Sequence, residues 1–301
     1  MDRMETAVDT RAQAAELDAR LHPIDWSAPD PGSTAFRFDA PSGSLAAWSI
    51  GDPANPRVVL VPGATGSKED FVLLAPPLVE AGYFVESYDL AGQYESAAAG
   101  PSRVSGHWDY DLYLADFITF LEAGEPAHVL GYSFAGILAQ LALAGRPELF
   151  RSLTLLTTPP LTGNVFRGIK IIGPIARFAS PHAGAGLMIW GIQTNKNGVD
   201  ERRLDFVRAR LGITRRESVD DIIALMMDTP DVTAAVASAG VPLLVATGQH
   251  DLWPVRAHAE YADMIGAELA VYRTGHSPCE TTPNQLALDM ITTFRRAEQP
   301  A

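Results

Sequence analysis

Short apolar runs recur along most of the chain, each separated from the next by a longer stretch with helical spacing. "RVVLV" (57–61), "YFVESY" (83–88), "HVLGY" (128–132), "SLTLLT" (152–157), "PLLVAT" (242–247) and "LAVYR" (269–273) are rich in β-branched and aromatic residues and read as strands. Between and after them the spacing predicts helices over about 67–81, 109–123, 134–144 and 283–295. "AFRFDA" and "LAAWSI", joined by "PSG", read as a hairpin ahead of this series, and a further helix is expected from the N-terminus to about Leu21. Runs that are apolar throughout suit strands buried on both faces, so the alternation predicts an α/β fold: a mostly parallel central sheet of about eight strands flanked by helices.

The rhythm stops between Pro159 and about Pro230, where the chain turns helical and apolar: Phe166, Ile169, Ile171, Ile172, Ile175, Phe178, Met188, Ile189 and Trp190. This stretch is expected to be a helical cap inserted over the C-terminal edge of the sheet. The organisation read from the sequence is an N-terminal helical extension (1–34), a core (35–160 and 231–301) and the cap (161–230).

Composition removes several classes of function. At 301 residues, 47% hydrophobic and 20% charged, the chain is an ordinary globular protein with a large core. The charge of −13 opposes binding to phosphate backbones and anionic lipid, so neither nucleic acid nor a membrane is expected as a partner. No run reaches the roughly 20 apolar residues of a membrane span, and the charged N-terminus does not read as a signal peptide, which makes the cytoplasm the expected location. Cys279 is the single cysteine and is expected to be a small buried filler.

The candidate chemistry centres on "LGYSFAGIL" (130–138), where a predicted strand becomes a predicted helix. Ser133 stands between Gly131 and Ala135, with Gly136 following, and a turn this tight accepts only small side chains around the serine. Such a turn strains the serine backbone, lifts the hydroxyl off the sheet, and leaves the first N–H groups of the helix free to receive a negative oxygen. A serine needs a base, and a base needs an orienting acid. His276 follows the last strand in "RTGHSPCETTP", and Asp251 follows the strand before it in "ATGQHDLWPV". His22, His107, His128 and His182 lie away from that sheet edge, His250 should point elsewhere, and His258 falls within a helical pattern.

With the order Ser133, Asp251, His276, the turn around the serine and the strand count, the chain resembles the α/β-hydrolase fold superfamily from about Ala35 to Phe294. The resemblance implies a serine hydrolase with a helical cap, acting by acyl transfer without metal or organic cofactor. It also implies that "LVPGATGS" supplies the Ala64 amide to an oxyanion hole, with the Phe134 amide as the other donor. The expected substrate is a small hydrophobic carboxylic ester, lactone or thioester, in a pocket drawn from Phe166, Phe178, Met188, Trp190 and Trp253. Two alternatives stay open: hydrolysis of a carbon–carbon bond in a diketone or dienone, and a small-molecule receptor with little turnover. Either a monomer or a homodimer is compatible with the sequence.

Overall fold

The computed structural model describes residues 2–28, 30–101, 106–169 and 200–299. Eight strands form one sheet in the order β1-β2-β4-β3-β5-β6-β7-β8, with ranges Ser33–Ala40, Gly43–Ile50, Arg57–Val61, Phe84–Tyr88, Ala127–Tyr132, Phe150–Leu156, Leu243–Gly248 and Glu268–Tyr272 for β1 to β8. β1 and β2 are an antiparallel hairpin, and β2 also runs antiparallel to β4. Every pairing from β4 to β8 is parallel. Ten helices are described: α1 (Asp2–Ala19), α2 (Ala75–Glu80), α3 (Tyr110–Glu122), α4 (Phe134–Gly145), α5 (Glu201–Ile213), α6 (Arg216–Met226), α7 (Thr233–Ala237), α8 (Val255–Ile265), α9 (Pro278–Thr281) and α10 (Pro283–Ala297). Among the described residues no helix is long and apolar enough to cross a membrane.

The unbroken apolar runs have a direct cause: each central strand is covered on both sides. Along β3, Val59 and Val61 join the cluster formed with Phe117, Phe120 and Leu138 of α3 and α4. Val58 and Leu60 point the other way, into the cluster with Leu78 of α2 and Leu286, Met290 and Phe294 of α10. Side chains alternate across a strand, so two apolar neighbours in sequence serve two separate cores.

One expected helix is divided. In place of a helix over 67–81, a 3₁₀ turn spans Lys68–Phe71 and α2 begins at Ala75. Pro76 and Pro77 provide no N–H to a longer helix, so they sit in the first turn of a new one. The 3₁₀ turn is closed by the Ser67 and Asp70 side chains and anchored by Asp89, which accepts from the Lys68 backbone at 2.8 Å and from its ammonium at 3.2 Å.

The chain between β6 and β7 leaves and re-enters the core at one point, where Gly163 and Thr229 form an isolated antiparallel bridge. Its described helices contact loops at the C-terminal edge of the sheet. Ser218 of α6 hydroxyl-bonds to the Gly92 carbonyl, and Arg203 and Arg210 of α5 reach Asp70 after β3. Arg203 also holds Glu280, after β8, and lies 4.2 Å over the ring of Trp26. The N-terminal extension thereby packs on α5 through Trp26, Phe206 and Val207, while Asp18 accepts four hydrogen bonds from Asn284 and Gln285 at the start of α10. Phe178, Met188 and Trp190 lie outside the described residues.

Candidate active site

Ser133 is the residue between β5 and α4, with φ 52° and ψ −116°. A positive φ is uncommon for a residue with a Cβ, and here the surroundings hold it: the Ser133 N–H donates to the Leu156 carbonyl at 2.8 Å. The small neighbours have assigned tasks. A Cβ at Gly131 would lie 2.6 Å from the Ala135 carbonyl oxygen and from Gly136 Cα, and one at Gly136 would lie 1.8 Å from Thr158 Oγ1. The tight contact therefore runs from position 131 to positions 135–136, and the small Ala135 is itself fully buried there.

His276 Nε2 stands 3.1 Å from Ser133 Oγ, and its Nδ1 stands 2.5 Å from Asp251 Oδ1. The Asp251 side chain is wholly buried, while His276 keeps a quarter of its side chain exposed. Burial pushes the Asp251 carboxyl up, but hydrogen bonds and charge from His258 and His276 more than reverse this, leaving it well below the usual carboxylate range. An ionised Asp251 accepts from His276 Nδ1–H, which fixes the tautomer whose Nε2 lone pair faces the serine hydroxyl. A hydroxyl in that position can give up its proton to the ring as its oxygen attacks a carbon.

The loop carrying His276 is held from three sides. Thr157 Oγ1 donates to the His276 carbonyl at 2.9 Å, Tyr132 pairs with Ser277 at 2.8 Å, and the His250 N–H donates to Thr274 at 2.9 Å. Gly248 permits this crossing, because a Cβ there would stand 1.9 Å from the Gly275 carbonyl.

Ala64 lies in the loop after β3, and Phe134 is the first residue of α4. Among the described residues the backbone N–H groups of both have no acceptor. A Cβ at Gly63 would meet Ser133 Cβ and the Tyr132 carbonyl at 3.0 Å, so this loop runs against the serine turn. Its shape is set by Thr65, at φ 59°, whose N–H donates to Gln93 Oε1 at 3.0 Å; Gln93 in turn donates to Ser218 of α6 at 2.7 Å.

Of the expected pocket residues, Phe166 is half-buried and packed against the main cluster. Trp253 is fully buried, with its ring 6.0 Å from that of His276 and its indole N–H on the Val165 carbonyl at 2.9 Å, so it ties the start of the β6–β7 segment to the loop after β7. A groove of about 640 Å³ opens on the outer side of His276, between Pro23, Ile24 and Trp26 of the N-terminal extension and Leu73, Leu252 and Arg203. Sequence reading missed Thr157, Gln93 and, above all, His258, whose Nε2 lies 2.8 Å from the second oxygen of Asp251.

The alpha/beta hydrolase family model matches residues 58–289. The chain is 28% identical, over 98% of its length, to the polyketide synthase ThaQ of Burkholderia thailandensis, of which it spans 14%. Among solved structures, a carboxylesterase of the ammonia-oxidizing thaumarchaeon Nitrososphaera gargenis superposes with a TM-score of 0.70 at 17% identity, covering 87% of this chain and 99% of that one. The thioesterase domain from the curacin biosynthetic pathway gives a TM-score of 0.64 at 17% identity, over 86% of this chain and 99% of that domain. A sheet in this strand order, matched by the family model from β3 into α10, makes the chain a member of the alpha/beta hydrolase family.

Proposed function

We propose that the protein is a serine hydrolase that cleaves the ester or thioester of a hydrophobic acyl group through an acyl-enzyme. The observation that carries this reading is the continuous contact from Ser133 Oγ through His276 to the buried Asp251 carboxylate. His276 takes the Ser133 proton as Oγ attacks the carbonyl carbon, and returns it to the departing alcohol or thiol. The free amides of Ala64 and Phe134 receive the oxyanion, and one such donor is typically worth about 3 kcal/mol of transition-state stabilisation. Water, deprotonated by the same imidazole, then attacks the acyl-Ser133 carbonyl; the Oγ–acyl bond breaks, the imidazolium returns its proton to Ser133 Oγ, and the carboxylic acid leaves. Asp251 keeps His276 in the required tautomer and balances its charge while protonated.

The helices between β6 and β7 form the cap of this reading and screen the acyl group from water. The likeness to a thioesterase domain is in keeping with a thioester-bound acyl chain as the substrate class, and the likeness to a carboxylesterase with an oxygen ester. A fluorophosphonate probe should label Ser133 in the wild type and fail to label Ser133→Ala or His276→Ala. Turnover of p-nitrophenyl esters compared with N-acetylcysteamine thioesters of equal chain length then decides between the two bonds. Absence of labelling and of turnover on both series would sink the proposal.

A further inference from the structure

The Asp251 carboxylate lies between two imidazoles. Oδ1 takes the hydrogen bond from His276 Nδ1, and Oδ2 takes one from His258 Nε2 at 2.8 Å. Both Asp251 and His258 are buried, with 0% and 1% of their side chains exposed. His258 is the fourth residue of α8, seven residues beyond the aspartate, and Pro254 sets the start of that helix. From the geometry of this arrangement we infer that His258 is a positioning residue of the hydrolase site, fixing the plane of the Asp251 carboxylate and sharing its charge so that the orientation of His276 and the negative charge it faces depend on it. This inference rests on the reading of Ser133, His276 and Asp251 given above.

A carboxylate with one partner can turn about its Cβ–Cγ bond and can place its whole charge on that partner. The Thr247 hydroxyl also lies 3.5 Å from Oδ2, longer than a firm hydrogen bond, whereas His258 holds that oxygen at 2.8 Å. Its N–H also draws charge from the carboxylate, so less of that charge bears on His276. The surrounding titratable groups do not blur this. Tyr132 of β5, 5.5 Å from the His276 ring, and Tyr261, one turn along α8, are kept protonated by burial, as is Cys279; His250 is exposed.

The test uses the rate of Ser133 labelling by a fluorophosphonate across pH, which needs no known substrate. In His258→Leu the acid limb of the profile should move to higher pH and the plateau rate should fall about tenfold, as the carboxylate loses an anchor and gives more charge to His276. In His258→Gln, whose amide N–H reaches a position near the lost Nε2, both should return to within about twofold of wild type. His258→Asn, polar but too short to reach, replaces His258→Leu if the latter does not fold. A wild-type rate and acid limb in the leucine variant overturns the inference, as does a slower rate with an unshifted limb, which marks a packing role alone. If the wild type itself is not labelled at Ser133, the hydrolase reading fails, and this inference with it; labelled wild type with insensitive His258 variants removes only the inference.

Discussion

Gly136→Ala sets two rules against each other. On helix propensity alone the change should stabilise α4, since alanine is favoured over glycine in a helix interior by about 1 kcal/mol. The structure gives the opposite sign. The added Cβ would fall 1.8 Å from Thr158 Oγ1 and 2.7 Å from both Thr158 Cβ and Cγ2. Turning the Thr158 side chain moves the hydroxyl and the methyl but leaves Cβ in place, and Thr158 is buried beside Pro159, with no open space to retreat into. Overpacking of this kind costs about 1–3 kcal/mol, so once propensity is subtracted the net effect is a loss of up to about 2 kcal/mol. Because Ser133 is the N-cap of α4, three residues before position 136, the displacement also reaches the serine. Urea denaturation followed by tryptophan fluorescence should show a lower midpoint, and Ser133 labelling should slow. Gly136→Ala combined with Thr158→Gly, which removes the obstructing atoms, should recover more stability than the two single changes add up to, with a coupling of about 1 kcal/mol. A Gly136→Ala protein as stable as wild type, with no coupling to position 158, would refute the reasoning.

Four other outcomes are expected. Asp251→Asn replaces one of two accepting oxygens by a donor facing an imidazole, so Ser133 labelling should fall by roughly 10³–10⁴-fold with only a modest change in Tm. His128 is buried, with Nδ1 2.8 Å from Ser152 Oγ, and has its pKa lowered by burial from 6.5 to about 3. The fold thus holds it neutral, and the stability this represents is complete above pH 6.5 and is lost as pH falls from 6.5 toward 3. The loss is about 1.4 kcal/mol per pH unit within that window, so urea midpoints measured from pH 7 to 5 should fall more steeply in wild type than in His128→Phe. Asp18→Ala leaves the start of α10 without its four side-chain bonds and should cost about 1 kcal/mol in urea denaturation. Arg203→Met leaves Asp70 and Glu280 short of a cation in the interior and should cost about 3–5 kcal/mol by the same measurement, an unchanged midpoint being the contrary result.

The strands were legible because burial on both faces leaves a local mark: each is a compact apolar run whose ends are set by Gly, Pro or charged residues. Ser133, Asp251 and His276 could be brought together on paper for a similar reason, since each follows a strand and parallel strands place their C-terminal ends along one edge. The division of the 67–81 helix lay in Pro76 and Pro77, but the apolar spacing of the flanking residues outweighed the missing N–H groups in the reading. His258 lies in a helix, as its spacing predicts, and its partner does not follow from that spacing. Nothing in the periodicity of α8 tells how far that helix is rotated as it docks on β7, and this rotation alone decides whether position 258 meets solvent or Asp251. The same holds for Thr157, whose hydroxyl reaches the His276 loop only because its backbone takes a φ of 42° at the end of β6.

Two loops border Ser133, one after β3 and one after β8, and a single helix of the β6–β7 segment grips both. Arg203 spans Asp70 on the first and Glu280 on the second, while Arg210 adds hydrogen bonds to Asp70 and to Ser67 at 3.1 Å. Four buried charges that sum to zero lose much of their mutual attraction to desolvation, so stability is a poor account of why they are there. Their geometry is the better account. Asp70 closes the turn that follows Gly63 and Ala64, Glu280 stands four residues after His276, and α5 cannot slide without pulling on both. The insertion is therefore mechanically part of the site's frame: the amide at position 64 and the imidazole at position 276 keep their separation through an arginine that belongs to neither loop.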